Sequence, residues 1–168
     1  MAKWGAVFLV LMVGLGQVKG QLAPPTPPPK KSITISDGSS LLGWKAPLGK
    51  WSLVSSAKPN LINPNDFTLV PGKGILVNGI NGKSENLFSN FQHGDVQAAI
   101  EYMLPKGSNS GIYFQGRYEL QILDSFGKKI MTPEENGGIY PQAIKGKKVG
   151  GNAPIINASK PPGQWQKF

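Results

Sequence analysis

The 168-residue chain has no cysteine and a single histidine, His93. The first absence excludes a disulfide framework, a thiolate metal site and a cysteine nucleophile, and the second removes the usual histidine-based zinc centre. Acidic residues are scarce as well, 9 Asp+Glu against 18 Lys+Arg. Charged residues make up only 16% of the chain, so neither a coiled coil nor a highly charged disordered tail fits. Also missing are an uncharged run of the ~20 residues that a membrane-spanning helix needs and any sustained helical period. What the chain does have is 22 glycines, 15 prolines and enough apolar residues, 39%, for one small core.

The N-terminus reads as an export signal over residues 1–20. Lys3 supplies a positive start, Gly5 to Gly16 (GAVFLVLMVGLG) is a short apolar stretch, and Val18 and Gly20 are the small residues of a cleavage site. A short membrane anchor is the alternative, against which the length of the apolar run counts. Residues 21–31 (QLAPPTPPPKK) hold five prolines between Pro24 and Pro29, an extended spacer that cannot donate to a sheet. The domain is expected to run from 32 to 168, periplasmic or secreted, with no membrane span once the signal is removed.

From Ser32 onward the pattern is β. Trp51–Val54, Phe67–Val70, Ile75–Val77, Val96–Met103, Ser110–Phe114 and Tyr118–Leu123 are short runs rich in β-branched and aromatic residues, separated by Gly, Pro, Asn and Asp. Several short strands at close spacing predict an all-β antiparallel sandwich or barrel. In the first strand of the 95–125 region, Val96, Ala98, Ile100 and Tyr102 share one face, and Gln97, Ala99, Glu101 and Met103 the other. A three-residue loop Gln115-Gly116-Arg117, with glycine left-handed, opposes Phe114 to Tyr118 and keeps the apolar face continuous. A two-residue turn would instead pair Phe114 with Glu119. The longer loop collects Tyr113, Glu119 and Gln121 on the polar face.

A polar face of this kind is most often the solvated side of a sheet. Here it carries carboxylates and an amide beside tyrosine, the combination by which sugar sites accept hydroxyls and stack on CH faces. Glu101 and Glu119 are candidates to divide acid and base roles. Asp124 falls in phase with the core-facing residues at a strand end, where Asp-Ser-Phe-Gly makes a turn, so a capping role competes with a chemical one.

The stretch SNSGIYFQGRYELQILDS resembles the signature of the 3-keto-disaccharide hydrolase family, whose members have a concanavalin A-like jelly-roll fold. Trp51, Asn86-Leu87-Phe88, the strand pattern before the Asn-Ser-Gly turn, Gly138-Ile139-Tyr140 and Gly163-Gln164-Trp165 add to the likeness, which covers Leu42 to Phe168. The resemblance implies an antiparallel jelly-roll β-sandwich with further strands after Trp165, hence a domain incomplete at its C-terminus. It also implies chemistry on a sugar oxidised at its third carbon. A ketone there acidifies the C2 proton, a base removes it, the aglycone leaves from C1, and water adds back. That differs from ordinary glycoside hydrolysis by two carboxylates around an oxocarbenium-like transition state. Glu119 is the first choice as base, with Glu101 and Gln121 in support, Arg117 for enolate charge, and Tyr113 and Asp124 toward substrate.

His93 is a further catalytic candidate, although a lone loop histidine is more often structural. No cofactor is specified: a divalent ion on oxygen ligands such as Glu119 and Asp124 is neither supported nor excluded. Gly82-Lys83-Ser84 lacks the earlier glycine and the following helix of a phosphate-binding loop. Asn157-Ala158-Ser159 fits a glycosylation acceptor by chance. The lysines are scattered through loops, densest at Lys145, Lys147 and Lys148, without an RNA-binding aromatic motif, so the expected partner is a carbohydrate and not a nucleic acid. The sequence assigns no oligomeric state. Three readings of different class follow: an exported hydrolase of 3-keto-glycosides, a carbohydrate-binding module without catalysis, and an inactive remnant.

Overall fold

A computed structural model of the chain describes residues 10–13, 32–79 and 82–168. The cleavage site and the proline spacer read from the sequence lie outside the described residues. Among those residues there is no helix, hence none long and apolar enough to cross a membrane, and every strand pairing is antiparallel. The all-β class expected from the sequence is the class observed.

The strands in chain order are β1 (Val10–Val13), β2 (Ile33–Ser36), β3 (Ser52–Pro59), β4 (Phe67–Val77), β5 (Ala98–Tyr102), β6 (Asn109–Phe114), β7 (Tyr118–Leu123), β8 (Gln142–Ile144), β9 (Lys147–Val149) and β10 (Gln166–Lys167). One four-stranded sheet has the order β10-β5-β1-β2, while β3-β4, β6-β7 and β8-β9 are two-stranded ribbons. β1 therefore lies inside the apolar run read as a leader, and it pairs with both β2 and β5.

The β6-β7 hairpin has the expected register. Phe114 is opposite Tyr118 and Tyr113 opposite Glu119, with Arg117 N–H donating to the Phe114 carbonyl at 3.0 Å across the Gln115-Gly116-Arg117 turn. Gly116 is left-handed, at φ 65°, and Gln115 shares that region at φ 54°. Asn109-Ser110-Gly111, read as a turn, is instead the start of β6; the turn lies just before it, at Lys106-Gly107. β3 and β4 also differ from expectation. Pro71-Gly72-Lys73-Gly74 should interrupt the second strand, yet β4 runs through it, because Val54 opposes both Pro71 and Ile75 and the residues between bulge out.

One core unites the sheet with the ribbons: Ile35 of β2, Leu76 of β4, Ile100 and Tyr102 of β5 and Ile122 of β7 are buried together with Trp44 and Leu104. Alternation explains the choice, since Ile100 and Tyr102 share the inward face of β5 and Leu120 and Ile122 that of β7. A smaller cluster of Val54, Phe67, Val77 and Met103 lies beside it. Behind β7, the segment Gly137–Tyr140 adds backbone bonds to Glu119 and Gln121. A polar network fixes that segment. Asn136 bonds Tyr102 Oη, the Leu123 N–H and Ser159, and Glu135 accepts from Ser125 and from Lys128, both at 2.6 Å.

Candidate functional site

A cleft of about 970 Å³ opens along β6, between that strand and the loop 82–93. Its walls carry Trp44, Trp51, Phe88, Phe91, Tyr113 and Phe114. Aromatic faces with a few convergent polar groups are the usual make-up of a small-molecule site. Trp51 is fixed by its indole N–H, which donates to the Glu85 carbonyl at 2.7 Å. Ser84 tethers the same loop by accepting the Lys50 N–H at 3.1 Å. Gly82-Lys83-Ser84 thus belongs to the cleft wall and is followed by loop, not helix.

Two carboxylates line the cleft, Glu85 on the loop and Glu119 of β7, the latter partly buried. Its Oε2 accepts a short 2.6 Å hydrogen bond from Tyr113 Oη, its cross-strand neighbour. The bond to Glu119, then desolvation, push the Tyr113 phenol up to about 12, so it stays a donor throughout the neutral range. Gly111, one pair along on the same face, has no side chain, and a Cβ there would overlap Glu119 Oε1. The glycine of the Asn-Ser-Gly motif therefore makes room for the carboxylate instead of shaping a turn. Glu119 is held from one side by a phenol and seated on bare backbone on the other.

His93 reaches the same cleft. Its ring stacks on Phe91 at 5.7 Å and meets Phe114 edge-on at 6.2 Å. Nδ1 lies 2.8 Å from the Gly94 carbonyl, which can only accept, so Nδ1 carries the proton and Nε2 keeps its lone pair in the neutral ring.

The other candidates are not gathered here. Glu101 is on β5 and pairs with Lys167 of β10 at 3.2 Å, so the two glutamates do not form a carboxylate dyad. Gln121 is buried, its amide donating to Asn109 at 2.8 Å, which makes it a brace for the hairpin. Arg117 sits exposed in the turn, away from the cleft wall. Asp124 accepts the Gly107 N–H at 2.8 Å, the capping role. Glu119 and Asp124 accordingly do not share a cation, and no group of three His, Cys, Asp or Glu side chains placed to hold a metal occurs among the described residues. Sequence reasoning passed over Trp44, Phe91 and the purpose of Gly111. The density of aromatics in Asn86–His93 was the available signal.

An antiparallel all-β protein whose aromatic cleft holds an oriented carboxylate has the make-up of a small-molecule site. Residues 31–168 match the family model described as the 3-keto-alpha-glucoside-1,2-lyase-like domain, and the chain belongs to that family. Its function is thus carbohydrate-active, with a sugar as the partner. No curated protein and no solved structure matches the chain.

Proposed function

We propose that the chain cleaves 3-keto-glycosides by C2-proton abstraction, elimination and hydration, and that it does so after export. The observation that carries this reading is the Tyr113–Glu119–Gly111 arrangement on an aromatic cleft wall. A carboxylate on a cleft wall with one oxygen engaged by a phenol and the other lying over the bare backbone of Gly111 is posed as a general base. In the first step Glu119 takes the C2 proton, and the electron pair of that C–H bond moves onto the C3 ketone as an enolate. In the second the enolate collapses, the C1–O bond breaks, and the aglycone departs with a proton, for which His93 in its protonated form is the donor within the same cleft. Water then adds across the resulting C1–C2 double bond, its oxygen to C1 and a proton to C2, returning a 3-keto sugar. The aromatic walls give the pyranose CH faces a stacking surface and limit water around the enolate.

The test is release of a 3-keto sugar from a 3-keto-glucoside, followed by chromatography. Glu119→Gln is expected to lower turnover by about 10²- to 10⁴-fold. Binding of the glycoside without any turnover by the unaltered chain would replace this reading with that of a binding module.

A further inference from the structure

At the end of the β6-β7 hairpin away from its Gln115-Gly116-Arg117 turn, three loops are stitched together. The β3-β4 loop joins residue 106 through Lys106 N–H to the Pro64 carbonyl, 2.9 Å, and Asn65 Nδ2 to the Lys106 carbonyl, 3.0 Å. The turn before β6 joins the end of β7 through Gly107 N–H to Asp124, 2.8 Å. The end of β7 joins the 154–160 segment through Asn157 Nδ2 to the Ser125 and Lys128 carbonyls, 2.7 and 2.9 Å.

This end displays large apolar side chains in water. Leu61 and Ile62 are 98% and 96% exposed, Ile155 and Ile156 99% and 70%, Ile130 79% and Phe126 53%. The first pair is not on a floppy loop. Asn60 Oδ1 accepts the N–H groups of Ile62 and Asn63, and Asn60 and Asp66 close the turn by backbone bonds. Exposed Lys58, Lys106 and Lys129 are interspersed with these residues and have no acidic partner among the described ion pairs. The nearby carboxylates are engaged elsewhere, Asp66 at the Phe67 N–H, Asp124 at Gly107 and Glu135 by Ser125 and Lys128.

We propose that this end is a membrane-docking surface, in which the Leu61–Ile62 and Ile155–Ile156 tips enter the interfacial region of a bilayer while Lys58, Lys106 and Lys129 meet anionic headgroups. Projecting aliphatic tips on loops that also carry exposed lysines without a described acidic partner match the chemistry of an anionic lipid surface, apolar inside and negative outside. A second copy of the chain is a poorer occupant, because apposing two such ends sets these lysines against one another. The cleft runs along β6 to the Gln115-Gly116 turn, at the other end of the hairpin from Asp124.

The experiment uses the full chain and vesicles of phosphatidylcholine with or without phosphatidylglycerol. Because the chain lacks cysteine, Leu61→Cys carries a single polarity-sensitive dye, and Ser52→Cys, at the other end of β3, is the control. A blue shift at 61 and none at 52, on phosphatidylglycerol vesicles, is expected. In sedimentation the double variant Leu61→Ser/Ile62→Ser is expected to bind at least about tenfold more weakly, and each of Lys106→Gln and Lys129→Gln about fivefold more weakly. Circular dichroism should be unchanged, since these side chains make few contacts in the fold. The proposal is overturned if the dye at 61 stays in water while the chain sediments, as an N-terminal apolar segment alone would cause. It is equally overturned if the serine variants change only self-association, or if soluble polyanions compete fully and the serine variants bind as the parent does.

Discussion

Gly111 and Tyr113 act on one carboxylate from opposite sides, and they can be separated experimentally. Gly111→Ala puts a methyl where Glu119 Oε1 sits and moves the carboxylate. With Glu119 as the proposed base, turnover is expected to fall about 10²-fold, with KM changed little. Tyr113→Phe keeps the ring and removes the donor. Tyr113 and Tyr102 are both pushed up to about 12, the first mainly by its bond to Glu119 and the second mainly by burial. Absorbance titration near the phenolate band should therefore show one fewer late-titrating phenol in Tyr113→Phe. The linkage sign follows from the upward shift. Stability from each neutral phenol is fully present below pH about 10, the free-phenol value, and is lost as pH rises through about 12. Unfolding followed between those two values should depend less on pH in Tyr113→Phe than in the parent.

At the scale of elements, the β6-β7 hairpin carries both the site and part of the core. Ile122 has no exposure and packs in the main cluster, so Ile122→Ala is expected to cost about 3 kcal/mol in urea unfolding. Asn136 matters for a different reason. Replacing it by alanine strips partners from Tyr102 Oη, the Leu123 N–H and Ser159 together, and a loss of about 3 kcal/mol is expected. The hairpin was readable beforehand because its alternation has period two and its turn contains the glycine that a left-handed position favours. β4 was not readable. Pro71, Gly72 and Gly74 are strand breakers taken alone, and only the bulge against Val54 lets the strand continue past them.

For the whole molecule, the placement of β1 bears on stability. Val10–Val13 sits between β2 and β5, so a chain beginning at residue 21 lacks the strand that joins them. Its thermal midpoint is expected to lie more than about 5 °C below that of the uncut chain, measured by calorimetry on both forms, with their N-termini defined by mass spectrometry.

Sequence alone determined the all-β class, the hairpin register and the pairing of Glu119 with Tyr113 on one face, because alternation and turn chemistry are local and survive in one dimension. It also carried the family likeness that the 31–168 match bears out. Tertiary structure decided which polar residues meet. Glu101 left the candidate group for Lys167 because β10 pairs beside it, and Asp124 and Gln121 became braces because a turn and Asn109 lie within reach. His93 entered the cleft because Phe91 and Phe114 hold its ring. Those partners are separated along the chain, and only folding brings them within hydrogen-bonding or stacking distance.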